Sequence, residues 1–121
     1  MTERQSPKQY DLEERTFRFA QRVREFVNKL PKTLPNMKDS AQLVDASGSV
    51  GANYIEANEA LSKKDFVMRI KICRKESKEG RYWLRLVDTG SISELEKERA
   101  ELIQEATELM NIFGAILQKS G

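Results

Sequence analysis

Two apolar stripes of equal helical period, joined by a few polar residues, constrain this chain more than any other feature. In and around the stretch SGSVGANYIEANEALSKKDFVMRIKICRKESKEGRYWL (Ser47 to Leu84), Leu43, Ser47, Val50, Tyr54, Ala57 and Leu61 recur at steps of four and three, which lines them along one side of a helix. Ser62-Lys63-Lys64-Asp65 then restarts the chain. Ser62 is placed to cap a new helix by accepting a bond from a free backbone amide, and Asp65 puts negative charge in its positive first turn. A second stripe of Phe66, Ile70, Cys73, Ser77, Gly80, Leu84 and Val87 follows. Both stripes must leave water, so the two helices fold back on one another as the inner hairpin of a bundle.

The outer helices follow the same logic. Residues 1–10 read as a flexible lead-in and residues 11–119 as a single domain. Asp11 and Glu14 have capping-box spacing, and Phe19, Val23, Phe26 and Leu30 repeat at helical intervals, with Phe17, Ala20 and Val27 widening the face. Pro31 ends that helix, and 31–36 reads as a loop before a second helix that starts within 37–40 and runs to about Ala60. Gly48 and Gly51 inside that helix cost about 1 kcal/mol each relative to alanine. Close approach of a neighbouring helix offsets that cost; a hinge is the alternative. The third helix ends near Val87, where Asp88-Thr89-Gly90 makes a turn with a glycine suited to the left-handed conformation. Ser91 with Glu94, or Ser93 with Glu96, caps the fourth helix. Leu95, Leu102, Ala106, Leu109, Phe113 and Ile116 form its seam, broken by Arg99, while Ile103, Met110, Leu117 and Ile112 make its C-terminal half apolar nearly all round. That surplus fits either a second subunit or a central position in a monomer.

Composition excludes several classes. No run of about 18 apolar residues spans a bilayer. The polar start MTERQSPKQ lacks a signal-peptide core and the single cysteine cannot form an internal disulfide; both fit a cytoplasmic protein. Cys73 lies within an apolar stripe and reads as a small buried hydrophobe. The chain has no histidine, no glycine-rich phosphate loop and no set of zinc-ligand cysteines, so it is expected not to be an enzyme and to carry no cofactor or metal. Glu56 with Glu59 and Glu76 with Glu79 have the spacing of a di-metal carboxylate bundle, but such sites normally recruit histidine; polar fixtures that set helix register are the simpler use.

The segment SGSVGANYIEANEALSKKDFVMRIKICRKESKEGRYWLRLV resembles the bacterial four-helix-bundle proteins first noticed as open reading frames in intervening sequences of large-subunit ribosomal RNA genes, a fold family that includes accessory proteins of diversity-generating retroelements. Ser47, Ser49, Val50, Gly51, Ala52, Asn53 and Glu56 carry the resemblance, with Ser62, Lys63, Lys64, Asp65 and Phe66 at the junction and Lys75, Glu76, Glu79, Tyr82, Trp83 and Leu84 beyond it. Gly80 stands where the resemblance leads one to expect threonine or serine. The resemblance implies an all-α, antiparallel up-down-up-down four-helix bundle, assembled as a homo-oligomer and specifically a ring-like pentamer with a positively charged channel or face. It implies no catalytic role.

Charge is divided unevenly beneath a net value of only +2. Between Lys63 and Arg85 the cations Lys63, Lys64, Arg69, Lys71, Arg74, Lys75, Lys78, Arg81 and Arg85 face only Asp65, Glu76 and Glu79, and Arg74, Lys78, Arg81 and Arg85 follow helical steps along one edge. Arg15, Arg18 and Arg22 make a second such row. Cations at this pitch can track a phosphate backbone with little sequence preference and strong salt dependence. The competing use is a solvated face, or pairing with Glu94, Glu96, Glu98, Glu101, Glu105 and Glu108 of the fourth helix. Tyr82 and Trp83 can stack on unpaired bases, although Trp83 beside Leu84 better suits an anchor at a subunit or bundle interface. The expectation is a non-enzymatic scaffold that binds RNA or DNA through Arg15, Arg18, Arg22, Arg74, Lys78, Arg81 and Arg85. The alternative is a protein-interaction adaptor of the same fold.

Overall fold

The computed structural model describes residues 12–120, so the proposed lead-in and the Asp11 cap lie outside the described residues. Within them the chain forms four helices: α1 (Leu12–Asn28), α2 (Leu34–Asn58), α3 (Lys63–Leu86) and α4 (Ser93–Ser120). Each helix packs on its neighbours in sequence, and α1 closes the ring against α4. Cross-helix contacts set the directions. Arg15 and Arg22 of α1, and Lys29 just past its end, meet Glu105, Glu101 and Glu98 of α4 in descending order. Asn53 and Val50 of α2 likewise meet Arg69 and Cys73 of α3. Successive helices therefore run antiparallel, as short connections demand.

The predicted stripes are the core. Phe19, Val23 and Phe26 of α1, Leu43 and Val50 of α2, Ile70, Cys73 and Leu84 of α3, and Leu102, Leu109 and Phe113 of α4 are buried. Tyr54 of α2 reaches across to Phe113 of α4 with ring centroids 6.0 Å apart. On α4, Ile103, Ile112, Ile116 and Leu117 are half-buried against this core, so its apolar surplus is covered largely within the chain. Cys73 is buried and its thiol lies 3.4 Å from the Val50 carbonyl; burial pushes its pKa up to about 12, which leaves it an unreactive thiol.

Gly51 shows why a helix interior tolerates glycine here. A methyl group at that position would sit 2.9 Å from the Thr16 hydroxyl oxygen, and buried Thr16 is held by donating that hydroxyl to the Leu12 carbonyl at 2.7 Å. The backbone of α2 thus lies directly on α1, which supports close packing over a hinge.

Element boundaries depart from the sequence reading in three places. α2 begins at Leu34, because Thr33 caps it by accepting from the Asn36 amide and Pro35 falls in the first turn, where no intrahelical N–H is needed. Leu61, expected in the α2 stripe, is 97% exposed because α2 stops at Asn58 and Leu61 belongs to the junction. Ser93 is the first residue of α4 rather than its cap, and Glu96 turns its carboxylate to the Thr89 hydroxyl and to Arg99. The Ser62 cap forms as expected, accepting from the Asp65 amide at 3.0 Å, and Gly90 takes φ of 69°.

One end of the bundle is tied by a residue the sequence left in a loop. Buried Asn36 donates to the Pro31 carbonyl at 3.0 Å and to the Asp88 carbonyl at 2.8 Å, and accepts from the Asp88 amide at 2.8 Å. It holds the first and third connections together. Arg99, the break in the α4 seam, donates to the Val87 carbonyl just past the end of α3, where a cation complements the helix dipole.

Candidate nucleic-acid interface

The two cationic rows meet different fates. Arg15 of α1 donates through Nε and Nη2 to Glu105 at 2.7 and 2.8 Å, and through Nη2 to Glu108 at 2.7 Å. Arg22 donates to Glu101 at 2.9 Å and Lys29 to Glu98 at 2.8 Å. Those glutamates follow steps of three, four and three, so they form one stripe on the flank of α4 that faces α1. Hydrogen bonding to Glu105 raises the Arg15 pKa and hydrogen bonding to Glu98 raises that of Lys29, as expected for cations held by carboxylates. Arg15 and Arg22, expected at a polyanion surface, thus hold α1 to α4, and Arg18 of that row is exposed with no ion pair among the described residues.

On α3 nine cations stand against three acids, and among the described residues no ion pair involves this helix. The reason is rotational. α4 turns its acids toward α1 and presents uncharged residues to α3: Arg81 donates to the Thr107 hydroxyl at 3.4 Å, and the Arg74 guanidinium lies over Gly114. Arg74, Lys78 and Arg85 are exposed, as are Lys64, Lys71 and Lys75. Lys64, Lys71, Lys78 and Arg85 recur every seven residues, with Arg74 and Arg81 interleaved, in a slowly drifting row about 31 Å long at 1.5 Å per residue. The seven-residue recurrence of Lys64 and Lys71 was visible in the sequence and extends the expected edge, which began at Arg74, by nearly three turns.

By helical position the acids of α3 fall on its opposite, α2-facing flank. Glu76 is half-buried there, and burial, then its neighbour Glu79, raises its pKa. Glu56 and Glu59 are exposed, and Asn53 is the polar fixture of this seam: it accepts from Arg69 at 2.9 Å and donates to the Ser49 carbonyl. Among the described residues no three carboxylate, thiol or imidazole side chains converge to hold a metal ion, and no helix is long and apolar enough to cross a membrane. Trp83 is half-buried against the core, while Tyr82, edge-on to it at 4.9 Å, is 55% exposed.

A second surface lies between α1 and α2. The close approach at Gly48 and Gly51 leaves a shallow groove of about 370 Å³, floored by Ala20, Gly48, Gly51 and Ala52 and rimmed by Phe17 and Ile55, which are 56% and 49% exposed.

Comparison with known proteins agrees with this architecture. No curated protein matches the chain. A solved structure from Bacteroides thetaiotaomicron, described as a protein of unknown function from the S23 ribosomal protein family, is 26% identical; the match covers 87% of this chain and 96% of that one, with a TM-score of 0.75. The family model described as 23S rRNA-intervening sequence protein matches residues 8–115. A match of that extent means that the chain belongs to the 23S rRNA-intervening sequence protein family.

Proposed function

We propose that this protein is a non-enzymatic scaffold that binds nucleic acid through α3, using Lys71, Arg74, Lys78, Arg81 and Arg85, with little sequence preference. The observation that carries the reading is the partition of charge: α4 pairs with Arg15 and Arg22 of α1 and with Lys29 just beyond it, while among the described residues the cations of α3 have no acidic partner. An unpaired, regularly spaced row of cations repels itself, and a polyanion relieves that repulsion while releasing its own counterions. Self-association into a homo-oligomer, up to the ring-like pentamer that the resemblance implies, would gather several such rows into one field. The test is binding to generic RNA at low and high salt, with wild type and with Arg74, Lys78 and Arg81 changed to glutamate. Salt-sensitive binding that the triple variant loses supports the reading; no binding, or binding indifferent to both changes, refutes it.

The apolar α1–α2 groove, with Phe17 and Ile55 on its rim, favours a second reading as a protein-interaction adaptor. A stoichiometric protein partner that survives nuclease treatment and is lost on Phe17→Ser would support that role.

A further inference from the structure

We infer that the α3 face selects single-stranded over double-stranded nucleic acid, with Tyr82 as the platform on which an unpaired base stacks; this rests on the reading of α3 as a polyanion surface. Tyr82 is the one aromatic ring on the exposed cationic edge of α3. Lys78 precedes it by four residues and Arg85 follows it by three, so both flank it on the helix surface, as does exposed Glu79, three residues before it. Its ring is 55% exposed, and it contacts half-buried Trp83 edge-on, at 80° between ring planes, which braces Tyr82 from one side only. Among the described residues Tyr82 makes no side-chain hydrogen bond. An aromatic ring held this way amid cations serves no phosphate contact, but it meets what a base offers once it leaves a duplex.

The shape of the face points the same way. α3 packs between α2 and α4, so only its outward face meets nucleic acid. Its cations climb that face for about 31 Å with a drift of only about 20° per seven residues, whereas the phosphates of a duplex wind away from such a line after a few contacts. A single strand is flexible enough to follow the row and to place a base on Tyr82 while its phosphates meet Lys78 and Arg85. Arg74 and Arg81, lying over Gly114 and Thr107, extend the path on the α4 side without an acidic wall.

The experiment compares three probes of about equal phosphate number at one salt concentration: oligo(dT) of about 20 nucleotides, the same strand with abasic sugars, and a duplex of about 10 base pairs. Wild type should bind oligo(dT) about tenfold more tightly than the abasic strand or the duplex, with quenching of the single Trp83 fluorescence by oligo(dT) alone. Tyr82→Ala should lose the advantage of oligo(dT) over the abasic strand and bind those two alike, while Tyr82→Phe should retain it. Because Tyr82 is half out of the fold, the phenylalanine variant separates loss of stacking from loss of structure. Equal wild-type affinity for oligo(dT) and the abasic strand, or an unchanged preference in Tyr82→Ala, overturns the inference and leaves the cationic-face reading standing. Failure of all three probes to bind overturns both.

Discussion

Replacing Arg15 by methionine should destabilise the fold by about 2 kcal/mol, whereas replacing Lys78 by glutamine should change stability by less than about 0.5 kcal/mol. The contrast follows from geometry. Arg15 makes three short bonds to Glu105 and Glu108, and the Arg15 and Glu105 side chains are only 17% and 21% exposed. Fully exposed pairs contribute roughly 0.2–1 kcal/mol, while breaking a buried pair costs roughly 3–5 kcal/mol, because the remaining charge loses its partner where water cannot replace it. A pair at this depth falls between those limits, and methionine keeps the packing of the long stem, so the loss reports on charge. Lys78 is exposed with no ion pair or side-chain hydrogen bond among the described residues, and its removal thins a row of like charges. Urea unfolding followed by far-ultraviolet circular dichroism measures both, compared at unchanged m-value. A double-mutant cycle with Glu105→Gln should return a coupling above about 1 kcal/mol. Arg15→Met costing no more than Lys78→Gln would mean that the α1 cations are not committed to α4, and the partition of charge between the helices would fail with it.

Further expectations follow from packing and titration. Gly51→Ala should destabilise by about 1 kcal/mol, since a clash with immobile Thr16 outweighs the helix propensity gained, whereas Gly80→Ala, whose methyl would meet Phe19 at an ordinary 3.9 Å, should stabilise by a similar amount; thermal melts order the two. Glu96 and Glu76 should respond to acid with opposite signs. Hydrogen bonds from Thr89 and then Arg99 lower the Glu96 pKa, so its contribution is present above the unfolded value and is lost as pH falls through the folded one; Glu96→Gln should be destabilising at neutral pH and matched to wild type in strong acid. Burial raises the Glu76 pKa, so its ionised form opposes folding, and Glu76→Gln should stabilise at neutral pH by a few tenths of a kcal/mol, a gain that fades as acid protonates the wild-type carboxyl. Cys73 should resist thiol reagents in the native protein and react only as fast as the bundle opens, which labelling across a denaturant series would show.

Much of the fold was legible because burial on a helix is periodic. The stripes through Val50, Ile70 and Leu102 could be placed from spacing alone, and the structure buries them as spaced. Boundaries were less legible: Pro35 reads as a loop residue unless Thr33 is recognised as a cap, and Leu61 continues a period that the chain has already left. The candidate site was half legible. The sequence supplied both cationic rows and the glutamates able to answer them, but which row those acids meet depends on how α4 is rotated between α1 and α3, and one helix's spacing does not contain that angle. Asn36 was missed for a related reason. Its three bonds join connections more than 50 residues apart, a closure no local pattern encodes.

The most direct test of the division of labour between the helices is the slope of log K against log salt for single-stranded RNA. A strand neutralised by the five α3 cations should give wild type a slope of about −3.5, and changing Lys78, Arg81 and Arg85 to glutamine should flatten it to about −1.4. An unchanged slope in that variant would contradict the assignment of α3 as the polyanion surface.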